Sequence, residues 1–217
     1  ENVLDDAEYD IWGEVKPRLV EAFGIAFDQA VLYGTNAPAT WPNGITVSAA
    51  AAGHVVNLGA GADLYDDIMA EGGLLSKVEE DGYLVTGHVA ALTMKAKLRG
   101  LRDANGVPLF NWIQEKTRYS LDGTDLIFPL NGAIDPAESQ LISGDWSQLV
   151  YALRKDVTYK VLTEAVITDT GGNIVYNLAQ QDMVALRAVM RLGWQLPNPI
   201  NRVNPNNATR YPFAVLV

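Results

Sequence analysis

The chain has 217 residues, no cysteine, and a net charge of −10 from 16 basic and 26 acidic residues. A chain of this length can bury about 70% of its unfolded surface in one large or two small domains, and the lack of cysteine excludes disulfides, thiol nucleophiles and cysteine-bound metals. The acidic balance argues against sequence-specific nucleic-acid binding, and no apolar run approaches the roughly 18 residues of a membrane span.

The first predicted element is a long helix over residues 5–33. Apolar residues recur there at three- and four-residue spacing, and acidic residues near its start favour the positive end of the helix dipole. Pro17 predicts either a kink or a later start, and Gly34 is placed to end the helix in a left-handed conformation. The turn-rich stretch that follows predicts a boundary between subdomains.

The middle of the chain predicts short elements separated by glycines and other turn formers. Asp63 has the side chain and position of a helix N-cap, and Gly72 and Gly73 stop the helix that it begins. In order, we expect a strand at 55–58, helices at 64–71 and 74–78, a buried strand at 82–86, a helix at 88–102, and strands at 109–113 and 126–130.

Two segments nearer the C-terminus alternate with period two, which is typical of strands. The second, residues 184–196, has an unbroken apolar face opposite Arg187 and Arg191 and would span about 40 Å. An amphipathic helix over 183–192 is the alternative, but its apolar face would have to include Arg187. We therefore predict a strand, paired antiparallel with the first segment (157–168) through a turn at 168–173 and a connection over residues 174–182. A last strand is predicted at 213–217.

Candidate chemistry is sparse. The Gly59-x-Gly61 turn between a strand and a helix could cradle a phosphate, but the third glycine position of a dinucleotide-binding loop holds Leu64. The two histidines, His54 and His88, are better explained by capping or packing than by a catalytic triad or a metal site. Asp66 and Asp67 are better explained by solvent exposure than by cation binding. We expect no catalytic residue, no metal site and no cofactor.

Five stretches of the chain, in order, resemble the major capsid proteins of tailed bacteriophages, the Hong Kong 97-type shell family whose fold encapsulins share. The resemblance spans nearly the whole chain, and the last stretch is followed by the matching Pro197-Asn-Pro199 sequence. The resembling sequences are Val31-Leu-Tyr-Gly34 with Pro42-Asn-Gly-Ile45, Gly82-Tyr-Leu-Val-Thr86, Leu101-Arg-Asp-Ala-Asn-Gly-Val-Pro-Leu109, Gly144 to Ala165, and Gln181 to Gly193.

The resemblance implies an α+β fold of the Hong Kong 97 type, with a long spine helix, a long antiparallel β-hairpin and a mixed α/β axial domain. Residues 1–44 would supply the spine helix of the peripheral domain, 45–150 the axial domain, and 151–217 the hairpin and last strand of the peripheral domain. The family's N-terminal arm and extended loop are missing from this sequence. We therefore expect a fragment that does not form closed shells alone.

The implied function is that of a major capsid protein of a tailed phage or prophage. It would self-assemble into pentamers and hexamers of an icosahedral head enclosing DNA, in the bacterial host cytoplasm, with scaffold and portal proteins as further partners and no membrane contact. Arg187, Arg191 and Trp194 are the candidate subunit-interface residues. The alternatives are an encapsulin-like compartment and, from another class, a nucleotide-binding enzyme that uses Gly59 and Gly61.

Overall fold

The computed structural model describes residues 11–103, 105–108 and 119–217. The predicted strand at 109–113 and residues 5–10 of the first predicted helix lie outside these ranges. Within them the elements follow in this order: α1 (Ile11–Tyr33), α2 (Ile45–Ala52), β1 (Val55–Val56), α3 (Leu64–Met69), α4 (Leu74–Glu80), β2 (Gly87–Ala90), α5 (Met94–Gly100), β3 (Tyr119–Leu121), β4 (Thr124–Ile127), β5 (Leu141–Gly144), a 3-10 turn (Trp146–Gln148), β6 (Val150–Leu162), β7 (Val166–Thr168), β8 (Ile174–Asn177), β9 (Ala185–Gln195) and β10 (Phe213–Leu216).

The chain forms two compact units. The described part of the first unit consists of residues 11–24 and 151–193, and that of the second unit consists of residues 25–103, 105–108, 119–150 and 194–217. Helix α1 contributes residues to both. The first unit holds most of the long strands, whereas the second holds the short helices and the six-stranded sheet.

The second unit is organised around a mixed sheet with strand order β1-β10-β5-β2-β4-β3. β10 pairs parallel with β1 and antiparallel with β5, and β2 pairs antiparallel with β5 and parallel with β4. The closing strand of the sequence therefore lies inside this sheet, where it joins segments that are about 70 to 160 residues away along the chain.

Both faces of this sheet are covered by hydrophobic side chains. Successive residues of a strand point to opposite faces, and in β10 they belong to two different clusters: Ala214 and Leu216 pack with α3, α4 and α5, whereas Phe213 and Val215 pack with the end of α1 and with α2. Burial on both sides explains why β10 is continuously apolar instead of alternating.

Local sequence explains several element ends. Gly34 has a positive φ of 75°, and its N–H donates to the Ala30 carbonyl at 3.0 Å, so α1 ends as predicted. α1 continues through Pro17 from its first described turns. The Asp63 carboxylate accepts the Asp66 N–H at 3.0 Å, which confirms Asp63 as the N-cap of α3.

In the first unit, β6 and β9 form one two-stranded sheet and β7 and β8 form another. β9 confirms the predicted strand and rules out the helical alternative for residues 183–192. The first predicted strand is divided, because the chain bends after β6 and β7 pairs antiparallel with β8 around the predicted turn. Residues 174–177, which we expected in a connection, are therefore a strand.

Two predictions around His88 are wrong. Residues 82–86 are not a strand, and the strand at this point is β2, which carries His88 at its second position. The helix is correspondingly shorter, beginning only at Met94. β2 is a central strand that is nearly buried on both faces, so it shows no period-two pattern, and its apolar residues mimic helical spacing.

The expectation that the last strand belongs with the long hairpin is also wrong. β10 lies between β1 and β5 in the six-stranded sheet of the second unit. The apolar sequence of β10 predicted a buried strand, but strand pairing across 160 residues leaves no local signal.

Candidate subunit interface

The first unit exposes apolar side chains along its strands. On β6, Tyr151 and Leu153 share one face, since they are two residues apart, and both are more than half exposed. On β8, Ile174, Val175 and Tyr176 are consecutive and all exposed, so both faces of the β7–β8 hairpin are open. A two-stranded hairpin is marginally stable in water. Exposed apolar surface of this kind is typical of a surface that another molecule covers.

Arg187 and Arg191 lie on the same face of β9, about 13 Å apart at the rise of a strand. Both side chains are exposed, and neither forms an ion pair within the described residues. Their placement leaves them available for a contact between subunits, and that role stays a prediction.

Trp194, unlike Arg187 and Arg191, is not exposed. Its side chain is only 6% exposed and packs in the core of the second unit against the cluster that includes Ile142, Phe213 and Val215. The indole Nε1 is buried without a hydrogen-bond partner in the described part of the chain. The apolar face of β9 that predicted an interface role for Trp194 ends in the core instead, so little of the ring is left for another subunit.

The turn between β7 and β8 is held by Asp169. Its carboxylate accepts the Asn173 N–H at 2.8 Å and the Asn173 side-chain amide at 3.1 Å. These hydrogen bonds hold the pKa of Asp169 below its ordinary value. The carboxylate therefore remains charged at the exposed end of the hairpin.

A buried polar cluster around Asp81 fixes the C-terminal segment to the second unit. The Asp81 carboxylate lies 3.0 Å from Nε2 of His54, and it accepts the Tyr211 N–H at 2.6 Å and the Asn204 side-chain amide at 2.6 Å. The imidazole Nδ1 of His54 lies 3.1 Å from the Phe213 carbonyl. His54 therefore has the packing role that its sequence context predicted.

The sequence did not indicate that the Asn-rich tail would hold a buried arginine. Arg210 is fully buried, and its guanidinium donates to the Asn204 carbonyl, the Asn198 carbonyl and the Asn207 side chain at 2.9 to 3.0 Å. Tyr83 donates to the Asn198 side chain at 2.8 Å. The available signal was the repeated asparagine, a residue that satisfies donors and acceptors in turns.

His88 lies in the centre of the six-stranded sheet. Its Nδ1 is 2.7 Å from the Ser143 hydroxyl, and its Nε2 is 2.7 Å from the Thr124 hydroxyl and 3.1 Å from the Leu121 carbonyl. Burial lowers the pKa of His88, so the imidazole stays neutral near pH 7. His88 is therefore held inside the sheet by its hydrogen bonds, including the one with Ser143, which confirms packing as the explanation for this histidine.

The N–H groups of the two glycines in the loop before α3 are already hydrogen-bonded. The N–H groups of Gly59 and Gly61 donate to the two carboxylate oxygens of buried Asp67, at 2.7 and 2.6 Å. The adjacent cavity, of about 340 Å³, is lined by Asp66, Asp67 and Glu71. A phosphate would have to displace one carboxylate and approach the others, so the nucleotide-binding alternative is not favoured. The structure also corrects the solvent-exposed assignment of Asp67.

The described residues contain no group of three or more His, Asp or Glu side chains that could hold a metal ion. Within the same ranges no helix has both the length and the apolar character required to cross a membrane. What the structure does offer is a unit of long strands with exposed apolar and cationic side chains. Such features are typical of a surface that another protein covers.

Comparison with known proteins identifies the family. The model of the phage capsid family matches residues 1–201, so the chain belongs to this family. Its curated relatives include the major capsid protein of Staphylococcus phage 80alpha, 29% identical over 82% of this chain and 52% of the relative. They also include the probable major capsid protein gp17 of Mycobacterium phage D29, 26% identical over 81% of this chain and 55% of the relative. The chain spans about half the length of these curated relatives.

The fold agrees with the sequence match. A solved chain from Microbacterium phage Oxtober96 is 37% identical and superposes with a TM-score of 0.83, over 100% of this chain and 68% of that chain. The predicted α+β fold of the Hong Kong 97 type is thereby confirmed.

Proposed function

We propose that this chain is the shell-forming part of a major capsid protein of a tailed phage or prophage. In the assembled head it would form pentamers and hexamers of an icosahedral shell around DNA, with scaffold and portal proteins as further partners. Assembly would take place in the cytoplasm of the bacterial host. The role is structural and requires no catalysis.

The observation that carries this proposal is the family match over residues 1–201, together with the TM-score of 0.83 to a phage chain. The exposed strands of the first unit supply surface that other copies would cover. A closed ring of identical subunits needs two different surfaces on each subunit that bind each other. The rotation between neighbours must also close the ring after a whole number of copies. A net charge of −10 also suits a wall that repels DNA and leaves it unattached.

Within this proposal the two units take the two roles of the capsid subunit. The α1 residues of the first unit and the β6–β9 sheet correspond to the spine helix and hairpin of the peripheral domain. The six-stranded sheet, β10 included, corresponds to the axial domain around the five-fold and six-fold axes. An encapsulin-like compartment would need the same fold, but the named relatives are phage capsid proteins, which favours the capsid.

Electron microscopy of the whole gene product that contains this chain tests the proposal. We expect closed icosahedral shells in which density for the six-stranded sheet surrounds the five-fold and six-fold axes. A product that stays monomeric under every assembly condition, or that forms shells only around an enzyme cargo, would overturn it. The neighbouring genes give an independent check, because terminase and portal genes accompany a capsid gene.

A further inference from the structure

Charge in the first unit is segregated along the chain. β6 and β9 together carry five basic residues and only one acidic residue, although the whole chain has 16 basic and 26 acidic residues. All five basic side chains are exposed, and none forms an ion pair within the described ranges. The β6–β9 sheet is therefore a cationic strip on an anionic protein. The five residues are Arg154, Lys155, Lys160, Arg187 and Arg191.

The segment that connects β6 to β9 has the opposite character. Residues 163–184 contain three acidic residues, Glu164, Asp169 and Asp182, and no basic residue. The β7–β8 hairpin within this connecting segment exposes apolar side chains on both faces, and the β6–β9 sheet exposes Tyr151 and Leu153 on one face. The sheet and the segment thus have complementary charge and matching apolar surface.

We propose that the β7–β8 hairpin of one copy of this chain docks onto the β6–β9 sheet of a second copy. The inference rests on the proposed function and names the surfaces that would join neighbouring subunits. Two cationic sheets placed face to face would repel each other, whereas sheet against connecting segment brings opposite charges together. Because the two surfaces differ, the contact is heterologous, and repeated rotation can close it into a ring.

A second copy is a better occupant of the sheet than a nucleic acid. Once the five basic residues of β6 and β9 are set aside, the chain still carries 11 basic and 26 acidic residues, a field that repels phosphate. DNA would also leave Tyr151 and Leu153 exposed to water, since a phosphate backbone offers no apolar partner. The β7–β8 hairpin, with the acidic segment around it, offers both opposite charge to the basic residues of the sheet and apolar partners to Tyr151 and Leu153.

Cysteine trapping tests the contact directly, because the chain has no native cysteine. One preparation carries Leu153→Cys on β6, and a second, distinguishable by mass, carries Tyr176→Cys on β8. Mixed under mild oxidant, they should form a disulfide-linked heterodimer. Tyr65→Cys replaces Tyr176→Cys in the control, since both tyrosines are 45% exposed but Tyr65 lies on α3. We expect at least a tenfold lower yield of heterodimer with this control.

Charge reversal supplies the second arm. Arg187→Glu with Arg191→Glu on the Leu153→Cys copy should lower the heterodimer yield at least fivefold, and added salt should lower it for the unaltered pair. The matched control reverses Arg99 and Arg202, two exposed cations outside the first unit, and changes the net charge equally. The control pair should leave the yield unchanged.

The outcomes separate this proposal from the proposed function. Heterodimer equal to the Tyr65→Cys control, or only disulfides between two Leu153→Cys copies, would overturn the docking, even if the whole gene product forms shells. Arg187- and Arg191-dependent binding of a fluorescent duplex DNA, without heterodimer, would also overturn it and assign the sheet to nucleic acid. Heterodimer from a product that never forms shells would instead support the docking and count against the capsid role.

Discussion

At the scale of single residues, the second unit depends on a cluster of buried polar side chains that hydrogen-bond to one another. Asp81 has a histidine, a backbone N–H and an asparagine amide around its carboxylate, and its own carbonyl accepts the Asn201 side-chain amide at 2.7 Å. Removing this carboxylate would leave the donors around it desolvated and without partners, which costs more than a surface contact contributes.

Because the carboxylate is buried and has three partners, we expect Asp81→Ala to lower the free energy of unfolding by about 3 to 5 kcal/mol. Urea unfolding followed by tryptophan fluorescence measures this loss as a lower midpoint. Glu79→Ala, an exposed neighbour at the end of the same helix, is the control and should change stability by less than about 0.5 kcal/mol. Equal effects of the two substitutions would show that the cluster is not a principal source of stability.

Tyr211 gives a prediction that depends on pH. Burial raises the pKa of its phenol to about 12, while a hydrogen bond with Ser48 acts in the opposite direction. The phenol of the unfolded chain ionises near pH 10. The stability that comes from the folded state's preference for the neutral phenol is therefore complete below pH 10 and is lost as the pH rises toward 12. Across this range we expect the free energy of unfolding of the wild-type protein to fall by about 3 kcal/mol more than that of Tyr211→Phe. Parallel curves of unfolding free energy against pH for the two proteins would contradict the prediction.

At the scale of elements, the contact between β5 and β10 leaves no room for a side chain at Gly144. A Cβ atom there would clash with the Phe213 ring and with the Pro212 carbonyl, and would lie 2.8 Å from Phe213 Cγ. Neither neighbour can withdraw, because Phe213 is fully buried in the cluster that also contains Trp194.

Gly144→Ala should accordingly destabilise the protein by about 1 to 3 kcal/mol through overpacking. Gly193→Ala is the matched control: Gly193 also lies in a strand, and a Cβ atom there would meet nothing within 4 Å. We expect the control to shift the thermal midpoint by no more than a degree or two. A well-folded Gly144→Ala protein with an unchanged midpoint would refute the packing argument.

Elements with local causes were predictable from sequence, and elements with distant causes were not. The α1 end at Gly34, the N-cap Asp63 and the Asp169 turn each depend on a few adjacent residues, and all three were found where expected. The position of β2 and the sheet that receives β10 depend on burial between distant segments, to which periodicity does not respond. The exposed arginines of β9 could be placed from the alternation, but the same alternation could not show that Trp194 ends in the core.

At the scale of the whole molecule, the two units differ in what holds them together. Both hydrophobic clusters consist of residues from the second unit, whereas the strands of the first unit are largely exposed. Local stability follows buried apolar contact. The first unit, and above all the β7–β8 hairpin, therefore has the least support from its own chain and the most to gain from a neighbouring subunit.

Hydrogen exchange read by mass spectrometry can compare the two units in the free chain and in shells. In the free chain, peptides from residues 163–184 should exchange at least about tenfold faster than peptides from residues 212–217, which carry β10. In assembled shells the first set should slow markedly while the second changes little, because only the hairpin gains a new partner. Equal protection of both sets in the free chain would mean that the hairpin is stable by itself. Unchanged exchange of residues 163–184 on assembly would mean that subunits join through another surface.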